Sequence, residues 1–200
     1  MPRPLPDASL DQIFRTARTR RGWTDEDVPE LLVRAVYDLH KWGPTSGNTC
    51  PARFLFIHSE AAKKRLDPLM DEGNRKQTFD APWTAIVAYD LAFAEFAPKL
   101  IPHAKDAKSW FDDPEVARHL AVQGGTLGGG YLIVAARALG LDCGPMNGFS
   151  NAGVDAEFFL NDPRRATWRS NFICNIGRGD DTRLRPRAPR LDFDEACAIL

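Results

Sequence analysis

The chain has 200 residues, 44% of them hydrophobic, a size that predicts one domain over 1–200 with a sizeable core. Lys and Arg total 26 against 27 Asp and Glu, so the net charge of -1 offers no global field to nucleic acid or an anionic membrane, and any anion site must be local. Cys50, Cys143, Cys174 and Cys197 form no CxxC pair, no apolar run reaches ~18 residues, and the N-terminus lacks a signal-like apolar core, which together predict a cytoplasmic protein without metal, disulfide framework or membrane span.

In chain order, Leu10, Ile13, Phe14 and Ala17 recur at helical spacing and predict a first helix over about 9–20, capped by Asp7 or Ser9 and followed by the basic turn RTRRGW. Asp25 or Asp27 opens a second helix over about 27–42, stopped by Gly43 and Pro44 before the polar stretch PTSGNTCPA. RFLFIH, Arg53 to His58, predicts a buried strand, and Ser59 caps a charged helix that ends near Gly73. WTAIVAY, Trp83 to Tyr89, predicts a second strand. Residues 90–113 carry aromatics and prolines without a period, a pattern of lids, substrate loops or arms on a partner subunit. Pro114 starts a helix to about Leu139 whose residues 120–136 include no charged side chain, so more than one of its faces is buried. Gly140 ends it, Leu141 to Gly144 is extended, and Asn151 caps a short helix over about 152–159. WRSNFICNIG, 168–177, is the last strong strand, before a basic tail and a small closing helix. Buried strands mixed with long helices predict an α+β fold.

Four features can carry chemistry. Arg18, Thr19, Arg20 and Arg21 suit a phosphate, because guanidinium groups stay charged and bond bidentately, but they equally suit a solvated turn. A second basic set, Arg183, Arg185, Arg187 and Arg190, lies near the C-terminus with Pro186 and Pro189 between, and if the two sets converge they make a monophosphate clamp. PTSGNTCP, Pro44 to Pro51, and DCGPMNGF, Asp142 to Phe149, hold amides, hydroxyls and glycines fit to read the edge of a heteroaromatic ring, or else are ordinary turns. Gly124, Gly125, Gly128 and Gly129, in a run of five helical glycines, need compensation for ~1 kcal/mol each, and close packing on another helix, its own copy in a homodimer, supplies it. The four histidines show no ligand spacing, Cys50 reads as a packed thiol before a nucleophile, and Trp110 and Phe111 are either substrate-facing or anchors. No GxSxG, GxGxxG or GxxxxGK[ST] occurs.

The order of ARTRRGW, KWGPTSGNTCPARF, GNRKQTFDAPWTAIVAYD, YLIVAARALGLDCGPMNGF, NIGRGD and RAPRLDFDEAC resembles the nitroreductase family of FMN enzymes over nearly the whole chain, most closely its branch of malonic semialdehyde reductases in pyrimidine breakdown. The resemblance implies a three-layer α+β fold, a central mostly antiparallel sheet flanked by helices, and two interlocked subunits holding FMN at their interface. It implies Arg18, Thr19 and Arg21, with Arg20 beside them, on the phosphate and polar flavin edge, and Pro44, Thr45, Ser46 and Asn48 beside the ring and ribityl chain. Asn74 and Gln77 fall on the ring edge, with Gln where the family has Lys. Pro145, Met146, Asn147 and Gly148 match a turn whose amides face flavin N5 and O4, and Arg185 and Arg187 match a basic pair closing on the phosphate. Cys50 and Ala52 depart from the Gln and Trp of the broader family. The activity implied is ping-pong hydride transfer from NADH or NADPH through flavin N5 to a small acceptor, malonic semialdehyde giving 3-hydroxypropionate. A nitro or quinone reductase and a non-catalytic flavin binder are the alternatives. Arg20 is the candidate cation for the acceptor's carboxylate.

Overall fold

The computed structural model describes residues 3–200, and its strands are β1 Ala52–Ile57, β2 Trp83–Asp90, β3 Asp142–Met146 and β4 Trp168–Gly177. They pair in the order β1-β2-β4-β3, every neighbour antiparallel. The helices are α1 Asp7–Leu10, α2 Glu30–His40, α3 Glu60–Leu66, α4 Glu72–Asp80, α5 Ala97–Leu100, α6 Pro114–Ala138, α7 Asn151–Asp155 and α8 Phe193–Ala196. Central β2 is apolar on both sides, and its alternation divides the core in two. Trp83, Ala85 and Val87 face Val33 and Val36 of α2 and Leu132, Ala135 and Ala136 of α6. Ile86 and Ala88 face Leu66 of α3, Val154 of α7, and Phe158 and Phe159 just beyond it. Helices therefore cover both faces of the sheet, the three-layer arrangement expected. Fully burying each such aliphatic or aromatic side chain contributes about 1.5–3 kcal/mol.

Several boundaries differ from expectation. The first helix stops at Arg15, after a wider-wound segment Asp11–Arg15, because the next residues pair with the sheet: Thr19 bridges Cys143, and Arg20 N–H donates to the Cys143 carbonyl at 3.0 Å. Pro6 and Pro29, rather than Asp7, Ser9, Asp25 or Asp27, stand at the first two N-caps. Ser59 caps α3 as expected, accepting from Ala62 N–H at 3.3 Å, but that helix ends at Leu66 and a separate α4 follows. Ser150, not Asn151, caps α7 by accepting from Gly153 N–H at 3.1 Å.

Four of the glycines of α6 pack against the chain's own sheet and the loop before it. A Cβ at Gly124 would lie 2.5 Å from the Pro51 ring, one at Gly125 2.7 Å from Cβ of Tyr89, and one at Gly128 2.5 Å from Cβ of Ala52. One at Gly129 would meet the Phe172 ring and lie 3.0 Å from Val87. Their compensation is close approach of α6 to the chain's own sheet, with dispersion contacts replacing what a side chain would have made. Only His40 of α2 joins from another helix, at 3.1 Å from the Gly128 position. Gly130 has nothing within 4 Å.

Candidate active site

The two basic sets converge. A cavity of about 410 Å³ is lined by Arg18, Thr19 and Arg21 from the first, Arg183, Arg185, Arg187 and Arg190 from the second, and Arg137 from the last turn of α6. Phe14, Ala17 and Ala188 complete its wall, and no carboxylate lines it. Side-chain hydrogen bonds to the backbone tie the sets together: the Arg18 guanidinium donates to the Arg185 carbonyl, and that of Arg187 donates to the Ala17 carbonyl at 2.8 Å. Arg137 escaped the sequence reading. Its position at a helix C-terminus was a usable signal, since that end favours a cation.

Arg20 is not part of this cavity. Its side chain, 13% exposed, turns toward Asp142 at 3.1 Å and Asp181, and its aliphatic stem packs on Gly179. Burial acts to lower its pKa, but the hydrogen bonds from Asp181 and Asp142 outweigh that and raise it. With two carboxylates already on it, Arg20 is neither a phosphate ligand nor a free cation for a substrate, and both expectations are corrected. It pins the 18–23 segment to β3 and to the start of the C-terminal tail.

The same segment bridges β3 at Cys143, and the strand runs on to the Pro145–Gly148 turn. Gly144 is needed beside it, because a Cβ there would lie 2.5 Å from the Arg20 carbonyl oxygen. Trp23, also unforeseen, donates from Nε1 to the Gln77 carbonyl at 2.9 Å and so ties the segment to α4. Asn74 Nδ2 donates to the Gly148 carbonyl at 3.1 Å, Gln77 Nε2 donates to Asn74 Oδ1 at 2.6 Å, and Thr78 Oγ1 reaches Met146 Sδ at 3.6 Å. Asn74, Gln77 and Pro145, Met146, Asn147 and Gly148 thus form one patch. The turn and loop hydrogen bonds of the described residues include none donated by the amides of Asn147 or Gly148. Those two N–H groups are available to a ligand edge.

The Pro44–Asn48 loop stands elsewhere. Thr45 Oγ1 accepts from Cys50 N–H at 3.0 Å, Asn48 Nδ2 donates to the Leu100 carbonyl at 2.9 Å, and the Thr45 methyl sits 3.9 Å from the Gly124 Cβ position. Ser46 opens the short turn Ser46–Asn48 and is exposed. Pro44 and Asn48 border a second cavity of about 720 Å³, walled by Tyr37, His40, Trp42, Phe54, Phe96 and Trp168 among others. Gly124 and Arg137 are 13 positions apart on α6, so at about 1.5 Å per residue the loop and the basic cavity lie about 20 Å apart along that helix. Within one chain the two therefore stand apart.

Phe111 packs edge-on against Phe93 at 5.1 Å and closes a small cluster with Ala97, Ile101 and Ala107, which makes it an anchor. Trp110 is half-exposed and tilted against Phe111. Cys50 holds a left-handed φ of 43° with Sγ 3.6 Å from Asn48 Oδ1. His40 is buried beside Phe54, and burial pushes its pKa down to about 4, so it is neutral at pH 7. Among the described residues no group of His, Cys, Asp and Glu is arranged to hold a metal, and no helix is long and apolar enough to cross a membrane.

The family model described as Nitroreductase family matches residues 1–178. The chain belongs to the nitroreductase family. Within that family, a protein of Stenotrophomonas maltophilia strain R551-3 is 52% identical over 200 residues, spanning 100% of both chains, and one of Caulobacter sp. strain K31 is 52% identical over 196 residues, spanning 98% of each. Both carry the provisional name NADH dehydrogenase/NAD(P)H nitroreductase. In fold, this nitroreductase-family chain is similar to a provisionally described nitroreductase of Bacillus subtilis, at TM-score 0.85 and 16% identity, covering 98% of this chain and 100% of that one. It is also similar to one of Exiguobacterium sibiricum solved in complex with FMN, at TM-score 0.83 and 18% identity, covering 100% of both.

Proposed function

We propose that this chain is an FMN-dependent oxidoreductase that takes hydride from NADH or NADPH and delivers it to a small acceptor. The observation that carries the reading is an arginine cavity without a carboxylate on a segment that bridges β3, with the strand leading on to a turn braced by Asn74. The two parts have the chemistry that the two ends of FMN require, a phosphate on the arginines and a ring edge at the turn. Arg18, Thr19, Arg21, Arg185 and Arg187 would hold the phosphate, and Asn147 and Gly148 N–H with Asn74 would meet the ring. Bound there, FMN supplies the two-electron chemistry between nicotinamide and acceptor, which the protein side chains do not.

Gln77 is buried and uncharged, so electrostatic support of the reduced ring falls to the backbone amides of the turn. The loop holding Pro44, Thr45, Ser46 and Asn48 is too distant to reach the same flavin, and a second copy of the chain supplies it in our reading. Leu31 of α2, 77% exposed, and Trp42 just beyond it, 80% exposed, are large apolar side chains on the surface, which fits burial in a homodimer. Trp110 lies on the irregular 91–113 wall that we assign to the acceptor.

Malonic semialdehyde, reduced to 3-hydroxypropionate, is our preferred acceptor, on the strength of the sequence resemblance at Cys50 and Ala52. The relatives' names favour a second reading, a nitroreductase of loose specificity. Stopped-flow absorbance separates them: FMN-loaded protein is reduced anaerobically with NADH or NADPH, then mixed with malonic semialdehyde or a nitroarene. Rapid reoxidation by the semialdehyde alone supports the specific reductase, and preference for the nitroarene supports the second. No reduction by either nucleotide leaves flavin binding without turnover.

A further inference from the structure

The arginine cavity holds more positive charge than one monophosphate uses. Seven guanidinium groups line it, and Asp80, 3.9 Å from Arg183, is the nearest carboxylate to any of them by ion-pair distance. A flavin monophosphate carries at most about two negative charges. With Arg183 beside Asp80, about four positive charges are then left in the same cavity without a counter-charge. Size points the same way. A cavity of about 410 Å³ is far roomier than the five heavy atoms of one phosphate require.

The seven also divide by position. Arg18 and Arg187 donate across the two segments to the carbonyls of Arg185 and Ala17, which fixes both side chains in place. Arg183 and Arg190 flank them on the tail. Both are exposed, the stem of Arg183 rests on Gly22, and Arg190 donates only to the carbonyls of Ala188 at 3.1 Å and Pro189 at 2.9 Å. Pro186 and Pro189 fix the backbone between them, so little chain entropy is lost when they close on an anion.

We propose that this cavity accepts two phosphate-bearing groups at once, the flavin monophosphate on Arg18 and Arg187 and a phosphate of the nicotinamide dinucleotide on Arg183 and Arg190. The inference rests on the flavin reading. A cofactor phosphate held there leaves the donor's phosphates a place beside it, with the nicotinamide free to reach along β3 toward the Pro145–Gly148 turn. Two phosphates of the donor share this chemistry, the pyrophosphate of NADH and NADPH and the 2′-phosphate of NADPH alone.

The test uses FMN-loaded protein and the unreactive oxidised nucleotides NAD⁺ and NADP⁺, titrated calorimetrically with the wild type, R183A and R190A, while bound FMN is counted by absorbance. The expected result is unchanged FMN content with about tenfold weaker nucleotide binding per variant, the size of one lost charge-assisted hydrogen bond. Weakening of NADP⁺ alone assigns the 2′-phosphate, and equal weakening of both assigns the pyrophosphate. Unmoved nucleotide affinity with FMN retained overturns the second subsite, as does loss of FMN from either variant, which would give all seven arginines to one phosphate. A wild type that takes up no FMN instead refutes the flavin reading, and with it the pairing of two phosphates.

Discussion

His40 offers a direct test of the energetics around α6. The imidazole is 9% exposed, stands edge-on to Phe54 at 4.6 Å, and its Nδ1 has no hydrogen-bond partner. Burial lowers its pKa from 6.5 to about 4. In the unfolded chain it titrates near 6.5, so between about pH 6.5 and 4 the unfolded state binds a proton that the folded state refuses. Stability from this group is therefore complete above pH 6.5 and falls with acidification by about 1.4 kcal/mol per pH unit, flattening below about pH 4. The total is about 3 kcal/mol. Urea unfolding of the wild type and His40→Leu at fixed protein concentration, in steps from pH 8 to 4, isolates the effect, since every other group cancels in the difference. The gap between the two is expected to stay flat above pH 7 and to shift in favour of the leucine variant by about 3 kcal/mol on reaching pH 4. A difference that does not change with pH would mean that His40 protonates freely in the folded protein, and the account of its burial would be wrong.

Other substitutions test the packing and the ties. Gly129→Ala should destabilise by about 1–3 kcal/mol, because its methyl meets the Phe172 ring, whereas Gly130→Ala has open space and should gain up to about 1 kcal/mol; thermal unfolding of both decides whether α6 lies on the sheet as described. Arg20→Gln removes the cation between Asp142 and Asp181 and should cost about 2 kcal/mol in urea unfolding, less than a fully buried pair because Asp181 is exposed. Arg18→Ala with Arg187→Ala should weaken FMN binding at least tenfold and flatten its dependence on salt, measured by flavin fluorescence; an unchanged salt slope would remove both from the phosphate. Trp42→Asp should convert a dimer to monomer in light scattering, and a wild type that is monomeric throughout would leave the Pro44–Asn48 loop without a partner site.

What could be read from the residues follows from how local each cause is. β2, β4 and α6 carry long unbroken apolar patterns, and their bounds came out within a residue or so. α4 escaped because EGNRKQTFD has no apolar period: it is held by polar ties, with Gln77 and Thr78 its buried residues. The shortened first helix was overridden by pairing with a strand more than a hundred residues away, which no local propensity reports. The helical glycines gave the closeness of the contact correctly but not its partner, since a missing side chain says nothing of what fills its place. Arg20 reads like its neighbours in RTRR, and only the positions of Asp142 and Asp181 set it apart. The convergence of the two basic sets was legible as a possibility of charge, and the tail's return to Arg18 made it real.

The roughly 20 Å that α6 sets between the loop at Thr45 and the cavity at Arg137 has a genetic consequence. If each site takes its loop from one copy and its arginines from the other, a strain carrying only a loop-defective allele or only an arginine-defective allele has no working site. Co-expressing the two alleles would restore one site per mixed pair, because the intact loop of one product meets the intact arginines of the other. The rigid helix would then appear in a cross as interallelic complementation, with recovered activity near one quarter of wild type when the two products pair at random.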